Sequence, residues 1–122
     1  MKAIPPLAAL ALAACATVPS APASPTARLG EVAHTNGLKV RPLRVIEDSR
    51  CPINAVCVWA GRLVLRVEIE GGAGADTADL TLGQPLNVGG TLTLVSAEPS
   101  KQAGVAIDPR AYRFTFSFQR RL

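Results

Sequence analysis

The chain has few of the residues on which enzyme active sites are commonly built. It contains a single histidine, His34, and aromatic residues make up only 4% of its 122 residues. It shows no serine in a nucleophile-elbow motif, no histidine pair and no glycine-rich phosphate loop. Catalysis by carboxylates alone needs two acids that converge in a cleft, and the cysteine-containing segment described below holds one, Asp48. We therefore expect a non-catalytic protein without a cofactor or a bound metal.

The chain also lacks an apolar run long enough to form a permanent transmembrane helix. Residues 4–14 are apolar but too short to span a bilayer, and Lys2 places one positive charge before them. The run ends in Leu-Ala-Ala directly before Cys15, which resembles a bacterial lipobox. The resemblance implies a signal peptide over residues 1–14 and a diacylglyceryl lipid on the Cys15 thiol, with further acylation by chains such as palmitate on the freed amine. An ordinary secretory signal with a chance cysteine is the alternative.

Residues 15–28 predict a tether between the lipid and a folded domain. Proline recurs at positions 19, 22 and 25 among Ala, Ser and Thr, so this stretch has little with which to build a core. Proline-rich linkers extend by about 3.1 Å per residue, which allows the domain to stand up to roughly 40 Å from the lipid. Residue 16 is Ala rather than Asp, the residue that marks inner-membrane retention in lipoproteins of Gram-negative bacteria. We therefore expect anchoring in the outer membrane, facing the periplasm.

Alternation of apolar and polar residues predicts an all-β domain over residues 29–122. In residues 112–119 the tyrosine and three phenylalanines fall on one face, and residues 62–70 alternate in the same way. Asn36-Gly37 and Gly89-Gly90 lie between apolar runs and predict hairpin turns. The spacing indicates six to eight short strands in a small antiparallel sandwich or barrel.

Two interruptions of this pattern carry expectations of their own. Pro42 falls inside a strand-like run where the apolar phase shifts, which predicts a bulge or an edge position. Residues 97–108 show no period, so we expect a long loop there, with room for one helical turn.

Residues 48–61 are the most distinctive stretch, with two of the three cysteines and the only tryptophan. Five residues separate Cys51 from Cys57, a gap that suits a small disulfide ring better than a zinc or redox pair with two intervening residues. Closing that ring stabilises the fold by roughly 2–2.5 kcal/mol. A metal site that adds Asp48 or His34 to the thiolates, or a reactive thiol pair, remains open. We expect Asp48 to cap the corner or pair with Arg50, and Trp59 to pack over the disulfide.

The order Asp-Ser-Arg-Cys-Pro, four residues, then Cys-Val-Trp-Ala-Gly resembles the signature of a family of small bacterial secreted and lipoprotein domains without an established biochemical role. Looser likeness extends over about residues 30–120, through an apolar strand at residues 92–95, then Pro99 and a closing aromatic strand with Tyr112. The resemblance implies an all-β envelope domain and assigns no catalytic residue.

The net charge of +4 falls to +3 when Lys2 leaves with the signal peptide. Four arginines near the C-terminus cluster in sequence: Arg110, Arg113, Arg120 and Arg121. A basic patch of this kind suits anionic glycolipid or peptidoglycan carboxylates, and an envelope protein is a further possible partner, whereas nucleic acid does not suit the compartment. The residues expected to form an interaction surface are Asp48, Arg50, Trp59, Arg110 and Arg113, with residues 97–108 beside them. The alternative function is metal binding or redox activity through Cys51 and Cys57.

Overall fold

The structure, a computed structural model, describes residues 2–4, 23–71 and 74–121. Its strands are β1 (Thr26–Ala27), β2 (Ala33–Thr35), β3 (Leu38–Asp48), β4 (Leu63–Gly71), β5 (Gly74–Thr81), β6 (Leu86–Asn87), β7 (Gly90–Glu98) and β8 (Arg113–Arg120). They form two antiparallel four-stranded sheets, ordered β1-β8-β7-β6 and β2-β3-β4-β5, which pack together as a small sandwich. This confirms the predicted all-β class and the predicted number of strands.

The core lies between the two sheets and receives apolar side chains from both. Its fully buried members include Leu92, Leu94 and Phe114 from one sheet and Val40, Leu63, Leu65, Val67 and Leu80 from the other. Burial of one such side chain contributes about 1.5–3 kcal/mol, so the interleaved sheets stabilise each other. The alternation predicted for β4 and β8 is confirmed, although Phe118, the last aromatic residue of β8, is only half-buried.

The hairpin predicted at Asn36-Gly37 joins β2 to β3. Both residues have positive φ, 48° and 86°, as a two-residue hairpin turn requires. The pairing of β3 with β4 shifts register between Pro42 and Arg44, which confirms a bulge where the apolar phase changes. Pro42 also lies beyond Val40, the last residue of β3 that pairs with β2.

Two boundaries differ from those predicted. Thr26 and Ala27, assigned to the tether, pair with β8, and Ala27 is buried in the core because its side chain falls on the inner face of the sheet, opposite Phe114. Ala97 and Glu98, assigned to a loop, continue β7 because they pair with the start of β8. The helical turn is a 3-10 turn at Pro109–Ala111, just after the predicted loop.

The expected signal peptide falls almost entirely, and Cys15 wholly, outside the described residues. Over the parts of the chain that are described, no helix has the length and hydropathy to cross a membrane.

Candidate functional site

The candidate site is the connection between β3 and β4 at one end of the sandwich. We call residues 51–61 the disulfide loop, since a bond joins Cys51 to Cys57 with their Cα atoms 5.9 Å apart. This confirms the disulfide predicted from the spacing. Cys51 is half-buried, whereas Cys57 and the residues that follow it are exposed.

The base of the disulfide loop is closed by hydrogen bonds between its two ends. The Ser49 amide donates to the Arg62 carbonyl at 2.8 Å, and the Cys51 amide donates to the Ala60 carbonyl at 3.0 Å. The Arg62 amide returns a bond to the Ser49 hydroxyl oxygen at 3.0 Å. Gly61 has a φ of +69°, and a Cβ there would overlap the Ser49 carbonyl oxygen. Glycine is therefore required where the chain re-enters β4.

Asp48, Arg50 and Tyr112 form a charged cluster beneath the disulfide loop. Arg50 binds the Asp48 carboxylate with two parallel bonds, Nε to Oδ1 at 2.8 Å and Nη2 to Oδ2 at 2.9 Å, which confirms the predicted pair. The Tyr112 hydroxyl donates to the same Oδ2 at 2.8 Å. Side-chain exposure is only 16% for Arg50 and 10% for Asp48, so the pair is largely withdrawn from water.

The pKa values of the cluster follow from burial and from these bonds. Burial disfavours the charged carboxylate of Asp48, but the hydrogen bonds from Arg50 and Tyr112 outweigh it and hold its pKa below the usual value. Burial, together with the hydrogen bond to Asp48, raises the pKa of Tyr112 to about 12. The hydrogen bond to Asp48 raises the pKa of Arg50. All three groups are thus kept in the charge states that hold the cluster together.

Arg50 also covers backbone carbonyls along the outer edge of β7. Strand β6 pairs with β7 only at Thr91 and Leu92. Further along, Arg50 donates to the carbonyl of Ala97 through Nη1 and to that of Pro99 through Nη2, each at 3.0 Å. Between these contacts the Gly83 amide donates to the Leu94 carbonyl at 2.9 Å. The edge of β7 is thus hydrogen-bonded in turn by β6, by Gly83 and by Arg50, whose last acceptor, Pro99, lies just beyond the strand.

The disulfide loop rests on residues 99–108, the loop that follows β7. The Ile53 amide donates to the Lys101 carbonyl at 2.9 Å, and the Ala103 amide donates to the Asn54 side-chain oxygen at 2.8 Å. The Lys101 ammonium donates to the Asp48 carbonyl at 2.8 Å. These bonds, which link the two loops predicted to form an interaction surface, fix their relative position.

Above this support, the disulfide loop exposes four large apolar side chains, which we call the apolar knuckle. They are Ile53, Val56, Val58 and Trp59, with exposures of 69%, 104%, 92% and 82%. The expectation that Trp59 packs over the disulfide was therefore wrong, because the ring is turned outward. Burial of large apolar residues is the usual outcome, so exposure of four of them on one loop makes this loop the candidate interaction surface. The sequence signal that was overlooked is the absence of any charged residue from 51 to 61.

The four C-terminal arginines do not form one patch. Arg113 begins β8 and Arg120 ends it, which places them roughly 24 Å apart at a rise of about 3.4 Å per residue. Arg110 and Arg113 lie at the end that carries the disulfide loop, and Arg110 pairs with Asp108. Arg120 instead donates to the Asn36 carbonyl in the β2–β3 turn. Of the predicted surface, Asp48, Arg50, Trp59, Arg110 and Arg113 share one end.

His34 and the larger of two clefts lie away from the disulfide loop, whereas a smaller cleft lies on the loop that supports it. His34 is exposed on β2, where it pairs with Lys39. Among the described residues, no three His, Cys, Asp or Glu side chains are grouped so that they could hold a metal ion. A cleft of about 490 Å³ opens beside Leu38, Ile69 and Val88, and a smaller one of about 240 Å³ lies on residues 99–108 and Ala111.

Comparison of the chain with protein-family models, curated proteins and solved structures finds no match.

Proposed function

We propose that the chain is a lipid-anchored protein of the bacterial envelope whose domain is a non-catalytic binding module. The observation that carries the proposal is the apolar knuckle, four exposed apolar side chains on a loop fixed by a disulfide and by hydrogen bonds. A surface already held in one conformation loses little conformational freedom on binding. This small loss of conformational entropy favours binding as the function of this end of the domain.

The proposed location rests on the Leu-Ala-Ala-Cys15 segment and on the tether after it. The disulfide agrees with such a location, since disulfides persist in oxidising compartments such as the periplasm. The likeness of residues 48–61 to the signature of small secreted and lipoprotein domains supports the same placement. Ala16 favours the outer membrane and its periplasmic face.

The location is tested by the intact mass of the protein extracted from membranes, alkylated at its thiols before and after reduction. We expect a chain that begins at Cys15, carries lipid, and gains two alkyl groups only after reduction. Separation of the membranes by density should place it with the outer membrane. A chain without lipid would overturn the anchoring. Thiols that are alkylated without reduction would instead favour the redox or metal function, which needs Cys51 and Cys57 as thiolates.

The binding function is tested with residues 16–122, which carry neither the lipid nor the signal peptide, added to isolated envelopes at a high concentration that replaces the local concentration given by the lipid. We expect this protein to sediment with them and the Val58→Asp variant to stay in solution. Val95→Asp is the matched control, because Val95 is also an exposed valine, at 49%, but lies on β7 outside the disulfide loop. Equal retention of both variants would contradict binding through the apolar knuckle.

A further inference from the structure

The apolar knuckle has the composition of a surface that meets lipid. Residues 51–61 contain no charged side chain, and their large exposed side chains are those of two valines, an isoleucine and a tryptophan. Tryptophan is enriched at the boundary between membrane and water, where its apolar ring is buried and its N–H stays hydrated. Aliphatic side chains beside it would enter the acyl region.

The shape of the apolar knuckle also favours a deformable partner, such as lipid, over a rigid protein surface. Val56 and Val58 are exposed to 104% and 92%, about as much as in an isolated extended chain, so the loop tip stands clear of the domain. A protruding tip leaves gaps against a flat protein surface and needs a matched groove to be covered. Lipid chains rearrange around such a tip and need no prior complementarity.

Charges of both signs lie beside the disulfide loop in nearly equal number. Arg62 binds Glu47, and Arg110 binds Asp108. Arg113 lies opposite Glu98 in the sheet, and Lys101 binds a backbone carbonyl. The rim therefore offers no strong field of one sign, so attraction to anionic headgroups contributes little. Burial of apolar surface is the contribution that remains, and it does not depend on lipid charge.

The chain before β1 is long enough to let this end reach the membrane. Ser24 accepts a hydrogen bond from the His34 amide, and Pro25 accepts one from the Phe116 amide, so the chain joins the sandwich near the middle of β8. Phe116 lies roughly 10 Å from the Arg113 end of that strand. The nine residues from Cys15 to Ser24 reach up to roughly 32 Å when extended. A lipid on Cys15 thus permits the disulfide loop to lie on the same membrane.

We propose that the apolar knuckle inserts into the interface of the membrane that holds the Cys15 lipid, forming a second, non-covalent contact. The inference rests on the proposed lipid anchor. The lipid keeps the domain at high local concentration near the bilayer, so a small apolar surface suffices for insertion. The contact orients the domain, with the disulfide end toward lipid and the β2–β3 turn toward solvent.

The test uses the full lipidated chain in phosphatidylcholine vesicles with brominated acyl chains, which quench tryptophan on contact. Trp59 is the only tryptophan, so the emission reports on the apolar knuckle alone. We expect most of the Trp59 emission to be lost relative to vesicles without bromine. Because the charges of the rim nearly balance, replacing part of the lipid with phosphatidylglycerol should change the quenching little.

Two variants serve as controls. Val58→Asp should restore the emission while the protein still floats with the vesicles, because a charge on an exposed residue opposes insertion without disturbing the fold. Thr91→Trp in a Trp59→Phe background moves the fluorophore to an exposed residue at the opposite end of the sandwich, and its emission should not be quenched.

Flotation and quenching separate the two proposals. A chain that floats without quenching keeps its anchor and overturns insertion. A chain that neither floats nor is quenched overturns the anchor and the insertion. Emission that shifts only when native envelopes replace pure lipid would identify a protein partner and also overturn insertion into lipid.

Discussion

Asp48 joins three segments that are distant in sequence. Its carboxylate binds Arg50, just before the disulfide loop, and Tyr112, just before β8. Its backbone carbonyl accepts a hydrogen bond from Lys101 in the loop that follows β7. Removing one member of a largely buried pair leaves the other without its counter-charge, which costs more than the pair itself contributes. Asp48 therefore has a structural role that a surface acid does not have.

The titration of Tyr112 reports on this cluster. Its pKa is raised to about 12 from 10.0, so the neutral phenol stabilises the fold below pH 10.0, and that stability is lost as the pH rises toward about 12. Tyr112 is the only tyrosine, so its ionisation can be followed by ultraviolet absorbance after a rapid pH jump. We expect a midpoint near 12 in the native protein, and a lower one in Asp48→Asn because the adjacent negative charge is gone.

The matched control for this titration is Asp79→Asn. Asp79 is also paired with an arginine, Arg66, but lies on β5 and makes no contact with Tyr112. Its substitution should leave the midpoint unchanged. A native midpoint near 10.0, or no effect of Asp48→Asn, would show that the hydrogen bond between Tyr112 and Asp48 does not persist in solution.

Gly61→Ala tests whether the re-entry of the disulfide loop into β4 requires glycine. We expect the free energy of unfolding to fall by roughly 2–3 kcal/mol, because the backbone has positive φ and the added methyl would meet the Ser49 carbonyl. Gly104→Ala is the matched control, with φ of +77° but no atom within 4 Å of an added Cβ. Denaturant unfolding should show a clearly smaller loss at Gly104, and equal losses would assign the whole effect to backbone conformation.

The disulfide loop combines a fixed base with an exposed tip. Hydrogen bonds join its two ends and connect it to residues 99–108, so the covalent bond is one of several restraints. Loss of the disulfide should therefore weaken the fold without abolishing it.

Replacing both Cys51 and Cys57 by serine should lower the free energy of unfolding by about 2 kcal/mol, because the unfolded chain regains the freedom that the ring removed. For a domain of this size, that corresponds to a fall in Tm of roughly 10 °C. Calorimetry of residues 16–122 with and without the two substitutions measures the effect, because neither protein then carries lipid or signal peptide. An unchanged Tm in the double variant would mean that the hydrogen bonds alone restrain the loop.

How far the sequence predicts each element depends on how local its determinants are. Strands β4 and β8 were predictable because the alternation of apolar and polar residues indicates which face of a strand is buried. The Asn36-Gly37 turn was predictable because positive φ selects those residue types. The exposure of Trp59 was not predictable from local sequence. It depends on how the disulfide loop rests on residues 99–108, a contact between segments about 50 residues apart. The binding of Arg50 to the carbonyls of Ala97 and Pro99 could not be predicted for the same reason, since these residues are also far apart in sequence.

The two sheets share one core, so we expect them to unfold together. Leu94→Ala in β7 and Leu65→Ala in β4 each remove a fully buried side chain and should cost about 2–5 kcal/mol. Amide hydrogen exchange should then rise in both sheets in either variant. Val95→Ala, at the neighbouring exposed position, should cost less than about 1 kcal/mol. Faster exchange confined to the sheet that carries the substitution would show that the sheets open separately.

The contact between Arg50 and β7 has a consequence for how molecules of this protein meet one another. An uncovered strand edge is a template on which a second chain can add a strand, which is the first step of aggregation. Strand β6 covers only the beginning of that edge, the Gly83 amide donates to the Leu94 carbonyl, and the Arg50 guanidinium binds the carbonyls of Ala97 and of Pro99, which lies just beyond the strand. Arg50 immediately precedes Cys51, so we expect these last bonds to be held less firmly when the ring is open. We therefore expect the reduced protein to associate more readily than the oxidised protein, which sedimentation of the two at equal concentration measures.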